Sequence, residues 1–178
     1  MSLSQPKVLI DRTRITRTVH GLARRISTDY PDGNLLLIGI LKGAFVFLSD
    51  LIRCLEIPLE IDFVRLESYG PGQISSRHVK ITKDIETSIQ GKNVLIVEDI
   101  VDTGWTLAYL KERLSRDHPK TVRICALLDK EARRETDLEV DYLGFPIDDR
   151  FVVGYGLDLD EKYRNLPDIC YVEEGPAP

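Results

Sequence analysis

Three carboxylates and two hydroxyls crowd one short stretch of this chain. In "VLIVEDIVDTGWTL" (residues 94–107), four aliphatic residues are followed at once by Glu98 and Asp99, then by Asp102, Thr103, Gly104 and Thr106. Like charges a few ångströms apart repel and each resists desolvation, so a fold gains nothing by gathering them for its own sake. Such a cluster suits a positive or hydroxyl-rich partner. Asp102, Thr103 and Gly104 supply a turn with a permissive glycine, and the residues up to Thr106 offer backbone N–H groups and two hydroxyls at a helix start, which suits a phosphate monoester. Glu98 and Asp99 would repel phosphate and suit sugar hydroxyls or a divalent cation instead. A ribose 5-phosphate meets both demands. A plainer reading has Thr106 capping its helix, Asp102 opening a turn and the two acids solvated at a strand end. Their convergence on one loop between aliphatic runs favours a site.

Positioning that loop requires elements on both sides. "VLIV" (94–97), "TLAYLKERL" (106–114) and "VRICALL" (122–128) read as strand, helix, strand. Upstream, Ile15, Val19, Leu22, Ile26 and Tyr30 recur at helical spacing after Asp11, and "YPDGN" stops the pattern. "LLLIGI" (35–40) reads as a buried strand, "AFVFLSDLI" (44–52) as a helix and "PLEIDFVRL" (58–66) as a strand. "VDYLGF", "FVVGYG" and "DICYV" add short strands near the C-terminus. Strands alternating with helices predict an α/β fold with a parallel sheet, whose ligands bind at the carboxyl ends of the strands. Residues 65–82, "RLESYGPGQISSRHVKIT", break the rhythm and read as a long loop serving as a lid, with a plain hairpin as the alternative.

The chain has 178 residues, a natural size for one domain spanning 1–178, with no internal repeat or linker. Its 24 Lys and Arg against 29 Asp and Glu give a net charge of -5, without the electrostatic footprint of a nucleic-acid binder. Cys54, Cys125 and Cys170 stand far apart beside aliphatic neighbours, the setting of reduced core thiols. The N-terminus lacks a signal-peptide pattern and no run approaches a membrane span, so the expectation is a cytoplasmic protein without membrane contact.

Residues 94–107 are similar to the phosphoribosyl pyrophosphate (PRPP) signature of type I phosphoribosyltransferases: an aliphatic run, two acids, two aliphatics, then Asp-Thr-Gly-x-Thr. The wider chain resembles the hypoxanthine-guanine branch in its bacterial-like form, with "LKGAFVFLSDL", "RLESYG", "LLDKEARR" and "FVVGYGLDLDEKYRNLP" matching in order. The resemblance implies a central, mostly parallel sheet flanked by helices, a mobile lid loop and a small C-terminal hood. It implies a magnesium-dependent enzyme that joins a 6-oxopurine to C1 of PRPP and releases pyrophosphate, assembled as a homodimer or homotetramer.

Residue by residue, the resemblance puts Glu98 and Asp99 on the ribose hydroxyls and magnesium. It has Asp102, Thr103, Gly104, Trp105 and Thr106 cradle the 5-phosphate, with Asp102 also facing the purine N7 to manage the ring proton. Lys42 and Gly43 match the pyrophosphate loop, in which the family makes the peptide equivalent to Leu41–Lys42 a non-proline cis bond. Lys130 matches the donor to the 6-oxo group, which implies rejection of adenine. Phe151 would stack on the base, Val152 would pair with it through its backbone, and Asp158 and Arg164 would serve the magnesium and pyrophosphate end. Ser68 and Tyr69 match the dipeptide of the closing loop, whose purpose is to keep water from the oxocarbenium-like centre. Trp105 departs from the usual smaller residue and is expected to pack outward. Gly154 and Gly156 lack the third glycine of a dinucleotide site. Two rivals are weaker: a signalling receiver domain leaves too few residues after Val94, and a PRPP-sensing regulatory module fits the intact Asp102 and Lys130 less well.

Overall fold

A computed structural model of the chain describes residues 5–68 and 79–172. Strand β1 (Lys7–Ile10) leads into helix α1 (Arg12–Asp29), whose cap is Asp11: its carboxylate accepts the Thr13 N–H at 2.9 Å and the Arg14 N–H at 3.0 Å. Ile15, Val19, Leu22, Ala23 and Ile26 form the buried stripe of α1, and Gly33 and Asn34, both at positive φ, turn the chain into β2 (Leu35–Leu41). There follow α2 (Phe45–Cys54), β3 (Leu59–Ser68), β4 (Val79–Lys83), β5 (Asn93–Val101), α3 (Trp105–Ser115), β6 (Thr121–Asp129), a single 3₁₀ turn (Glu131–Arg133), β7 (Tyr142–Pro146), β8 (Val152–Val153) and β9 (Ile169–Tyr171).

Six strands make the main sheet in the order β4-β3-β2-β5-β6-β7, parallel except for the edge strand β4. The period of two divides the central strands between two cores. Leu35, Leu37, Leu95, Val97, Cys125 and Leu127 join the buried faces of α1 and α2, while Leu36, Ile38, Val94, Ile96, Ile124 and Ala126 join Leu107, Leu110 and Leu114 of α3. Because both faces are covered, all of "LLLIGI" is buried, and each of its fully buried leucines contributes roughly 1.5–3 kcal/mol.

Four details differ from the sequence expectation. The strand holding Glu98 and Asp99 does not stop at Val97: β5 pairs with β6 through Glu98↔Ala126 to Val101↔Asp129, so both acids sit on the strand rather than in the loop. Residues 65–82 are not one long loop, since β3 and β4 pair antiparallel out to Ser68↔Val79; the remainder, with Tyr69 and the expected lid, lies outside the described residues. "FVVGYG" is a strand only at Val152–Val153, because Gly154, Tyr155 and Gly156 all take positive φ. A second sheet, β1-β9-β8, is antiparallel and uses β1, which the sequence reading passed over. Cys125 and Cys170 are buried as expected, and Cys54 is half-buried beside His20. Among the described residues no helix is long and apolar enough to cross a membrane.

Candidate active site

Strands β3, β2, β5 and β6 deliver their C-terminal ends to one edge of the main sheet. Connections leave β2 and β5 in opposite directions, and open α/β sheets bind ligands in the crevice at such a switch point. The turn after β2 and the end of β5 meet there. The Leu41–Lys42 peptide is cis, and Gly43 lies so close to the Asp99 carboxylate that a Cβ on Gly43 would overlap it. Asp99 is buried, with one oxygen accepting the Ile100 N–H at 2.8 Å. Burial, and then the negative charge of Asp99, push the neighbouring Glu98 carboxyl well above its ordinary range.

Beyond β5 the chain turns through Asp102, Thr103 and Gly104 into α3. Gly104 has φ 88°, a left-handed conformation, and a Cβ there would run into Thr136 and Arg134. The N-cap of α3 is Gly104, which has no side chain to cap the first turn at Trp105 and Thr106. The turn is braced from outside by residues 133–136. Glu135 donates its N–H to the Thr103 carbonyl at 2.9 Å, Trp105 donates its indole N–H to Glu135 Oε2 at 2.9 Å, and Arg133 Nε stands 2.6 Å from Asp102 Oδ1. Below this brace, Arg134 and Asp129 form a buried ion pair at 2.6 Å. Trp105 thus ties its indole to the segment that braces the turn.

Lys130 follows β6 directly and is only 8% exposed. Its ammonium lies 3.2 Å from Asp149 Oδ1, which also faces Arg133 Nη1 at 3.4 Å. Lys130, before Arg133, further holds the Asp149 carboxyl below the usual range. Phe151, two residues on, leaves 49% of its surface exposed, whereas Val152 is buried in the small sheet. On the other flank, Glu161 joins Lys42 Nζ at 2.9 Å to Arg164 Nη2 at 3.3 Å, and Arg164 Nη2 reaches Asp158 Oδ1 at 2.8 Å. Asp158 Oδ2 accepts the Glu161 N–H at 2.9 Å. Asp158 does not join Glu98 and Asp99 in a protein-only cage: among the described residues no three His, Cys, Asp or Glu side chains gather around a metal position. Ser68 brings its backbone to the same edge at the end of β3.

The phosphoribosyl transferase domain pattern matches residues 9–160 of the chain. The chain belongs to that family. It is 47% identical over 163 residues to the hypoxanthine-guanine phosphoribosyltransferase of Bacillus subtilis, covering 92% of this chain and 91% of that protein. It is 45% identical over 163 residues to the bifunctional protein TilS/HprT of Listeria monocytogenes; the match takes in 92% of this chain but only 25% of that longer protein. A crystal structure of a hypoxanthine phosphoribosyltransferase from Staphylococcus aureus superimposes with a TM-score of 0.90 at 42% identity, covering 96% of this chain and 92% of the other. This phosphoribosyl transferase domain carries four polar partners that the sequence reading missed: Arg133, Glu135, Asp149 and Glu161. Each sits in a charged stretch with no spacing that sets it apart from solvated surface.

Proposed function

We propose that the protein is a purine-salvage enzyme that transfers the phosphoribosyl group of PRPP to N9 of hypoxanthine or guanine, giving IMP or GMP and pyrophosphate. The observation that carries this reading is the meeting, at one sheet edge, of the Asp102–Thr106 turn, the Gly43–Asp99 contact and the buried ammonium of Lys130. In it, the N–H groups at the start of α3 and the hydroxyls of Thr103 and Thr106 bind the 5-phosphate. Glu98 and Asp99 face the ribose hydroxyls, and Lys42, Gly43 and Arg164 face pyrophosphate.

As N9 bonds to C1 and the C1–O bond to pyrophosphate breaks, the Asp102 carboxylate takes the proton from the imidazole ring of the base. Lys130 donates to the 6-oxo group, Phe151 stacks on the ring and the Val152 backbone borders it. Adenine presents an amino group where Lys130 needs an acceptor, so it is excluded. Ser68 and Tyr69 belong to the segment that shields the reacting centre from water.

The donor set suits magnesium: Glu98 and Asp99 are adjacent oxygen ligands whose mutual repulsion a divalent cation relieves, and magnesium commonly takes one or two carboxylates and completes its shell with substrate oxygens. When bound, it would neutralise the phosphate charge that develops on the leaving group, with Glu98, Asp99 and Asp158 as the side chains that hold it. The reading takes residues 1–178 as one catalytic domain in a cytoplasmic protein that assembles as a homodimer or homotetramer. Light scattering reads the assembly state.

The test mixes pure protein, PRPP and magnesium with hypoxanthine, guanine, xanthine or adenine in turn and follows nucleotide formation. Turnover with an oxopurine is expected. No turnover with any of them overturns the reaction, and adenine as the best substrate overturns the role of Lys130.

A further inference from the structure

Four charged side chains form an unbroken chain across the base side of the site. Asp102 Oδ1 lies 2.6 Å from Arg133 Nε, Arg133 Nη1 lies 3.3 Å from Asp149 Oδ2, and Asp149 Oδ1 lies 3.2 Å from Lys130 Nζ. Signs alternate, minus, plus, minus, plus, and sum to zero. The two ends are the groups proposed to face N7 and the 6-oxo group, which stand side by side on one edge of a 6-oxopurine. The two middle members have no role in the reaction as described above.

Stability does not account for the chain. Arg133 and Asp149 keep 42% and 51% of their side chains exposed, and exposed ion pairs contribute little. Only the Lys130 end differs in this respect, since Asp102 keeps 46% of its side chain exposed. Lys130 keeps only 10% of its side chain exposed, so its ammonium needs a carboxylate partner, and among the described residues Asp149 supplies it. The Arg133–Asp102 contact is close but out of hydrogen-bond alignment, so Asp102 Oδ1 is buried without a hydrogen bond. The guanidinium of Arg133 is the charge that stands against this buried oxygen. Backbone geometry supports the linkage. The single turn Glu131–Arg133 closes with the Arg133 N–H donating to the Lys130 carbonyl at 2.9 Å, so one short turn carries both Arg133 and Lys130.

The geometry points to Arg133 as a positioning residue for Asp102 and Asp149 as a positioning residue for Lys130, the pair together fixing the spacing between the proton acceptor and the 6-oxo donor. This rests on the reaction proposed above. It adds that selectivity for oxopurines resides in a four-member chain rather than in Lys130 alone.

Steady-state kinetics on Arg133→Met, Arg133→Lys, Asp149→Asn and the Arg133→Met/Asp149→Asn double variant test it, beside the wild type. Arg133→Met is expected to lower kcat about tenfold with KM for PRPP within about twofold, because the phosphate turn is untouched. Arg133→Lys keeps the charge and is expected to recover kcat to within about threefold of the wild type. Asp149→Asn is expected to raise KM for hypoxanthine about fivefold, and the double variant is expected to lose less than the product of the two single losses. A kcat for Arg133→Met within about twofold of the wild type overturns the assignment, as does an equal loss in both Arg133 variants accompanied by a matching fall in Tm. An inactive wild type overturns the reaction itself, which separates the two failures.

Discussion

Gly43 faces the carboxylate of Asp99 with no space for a methyl group between them. The turn after β2 is thereby pressed against the acid on β5, and the two halves of the proposed PRPP site are held in register by the absence of a side chain. Gly43→Ala is expected to push Asp99 aside and lower kcat/KM about 10²-fold or more, since misplacement on the ångström scale costs that much. Circular dichroism should stay unchanged while the kinetics collapse.

Asp102 stands at the centre of the proposed chemistry. Asp102→Asn keeps the shape of the turn but cannot accept a proton, so kcat should fall by roughly 10²-fold while PRPP binding, read by calorimetry, stays close to the wild type. An unchanged kcat removes Asp102 from the mechanism.

Lys130→Met would preserve the buried alkyl volume and delete the donor. The preference for hypoxanthine over adenine should shrink by about 10²-fold, mostly through loss of the oxopurine rate, and competition assays with both bases measure it directly.

A different carboxylate sets an acid limit on stability. Burial raises the Asp62 carboxyl, but the backbone N–H groups of Thr87, Phe63 and Glu86 outweigh it and bring the pKa down to about 2. Thr87 and Glu86 each donate at 2.8 Å, tying β3 to the segment after β4. A folded pKa below the unfolded one means the stabilisation is present above about pH 4 and is lost as pH falls toward 2. Asp62→Asn should therefore cost about 2 kcal/mol at pH 7, and the gap to the wild type should close between pH 4 and 2. Urea melts across that range would show it.

The parts of this molecule that were legible beforehand are those where one physical signal dominates. "LLLIGI" and "VLIV" are uninterrupted apolar runs, and only strands covered on both faces need them. The Asp-Thr-Gly turn was legible because a left-handed glycine beside clustered acids has few structural uses. The end of β5 was misread because two adjacent acids normally mark solvent. Here the β6 ladder continues beneath them, and sequence alone does not show which strand lies alongside. β1 was missed since "KVLI" is four residues long and mostly exposed on an edge, so it carries neither alternation nor length. Arg133, Asp149 and Glu161 could not be told from surface charge because what distinguishes them is a partner roughly 15 to 120 positions away.

The small sheet joins residues near both ends of the described chain: Lys7 pairs with Tyr171, which also pairs with Val152. Pulled by those ends, this ladder is loaded at Lys7 and Tyr171 first and opens like a zipper, one pair at a time, with only Ile10, Val152 and Ile169 among its buried residues tying it to one core, whereas the six-stranded sheet is packed into two. Tension would strip the wall beside Phe151 while the phosphate turn stayed folded. In mechanical terms the proposed base site has two anchorages: its Phe151 wall hangs from the short ladder, while Lys130 and Asp102, like the phosphate turn, hang from the large sheet.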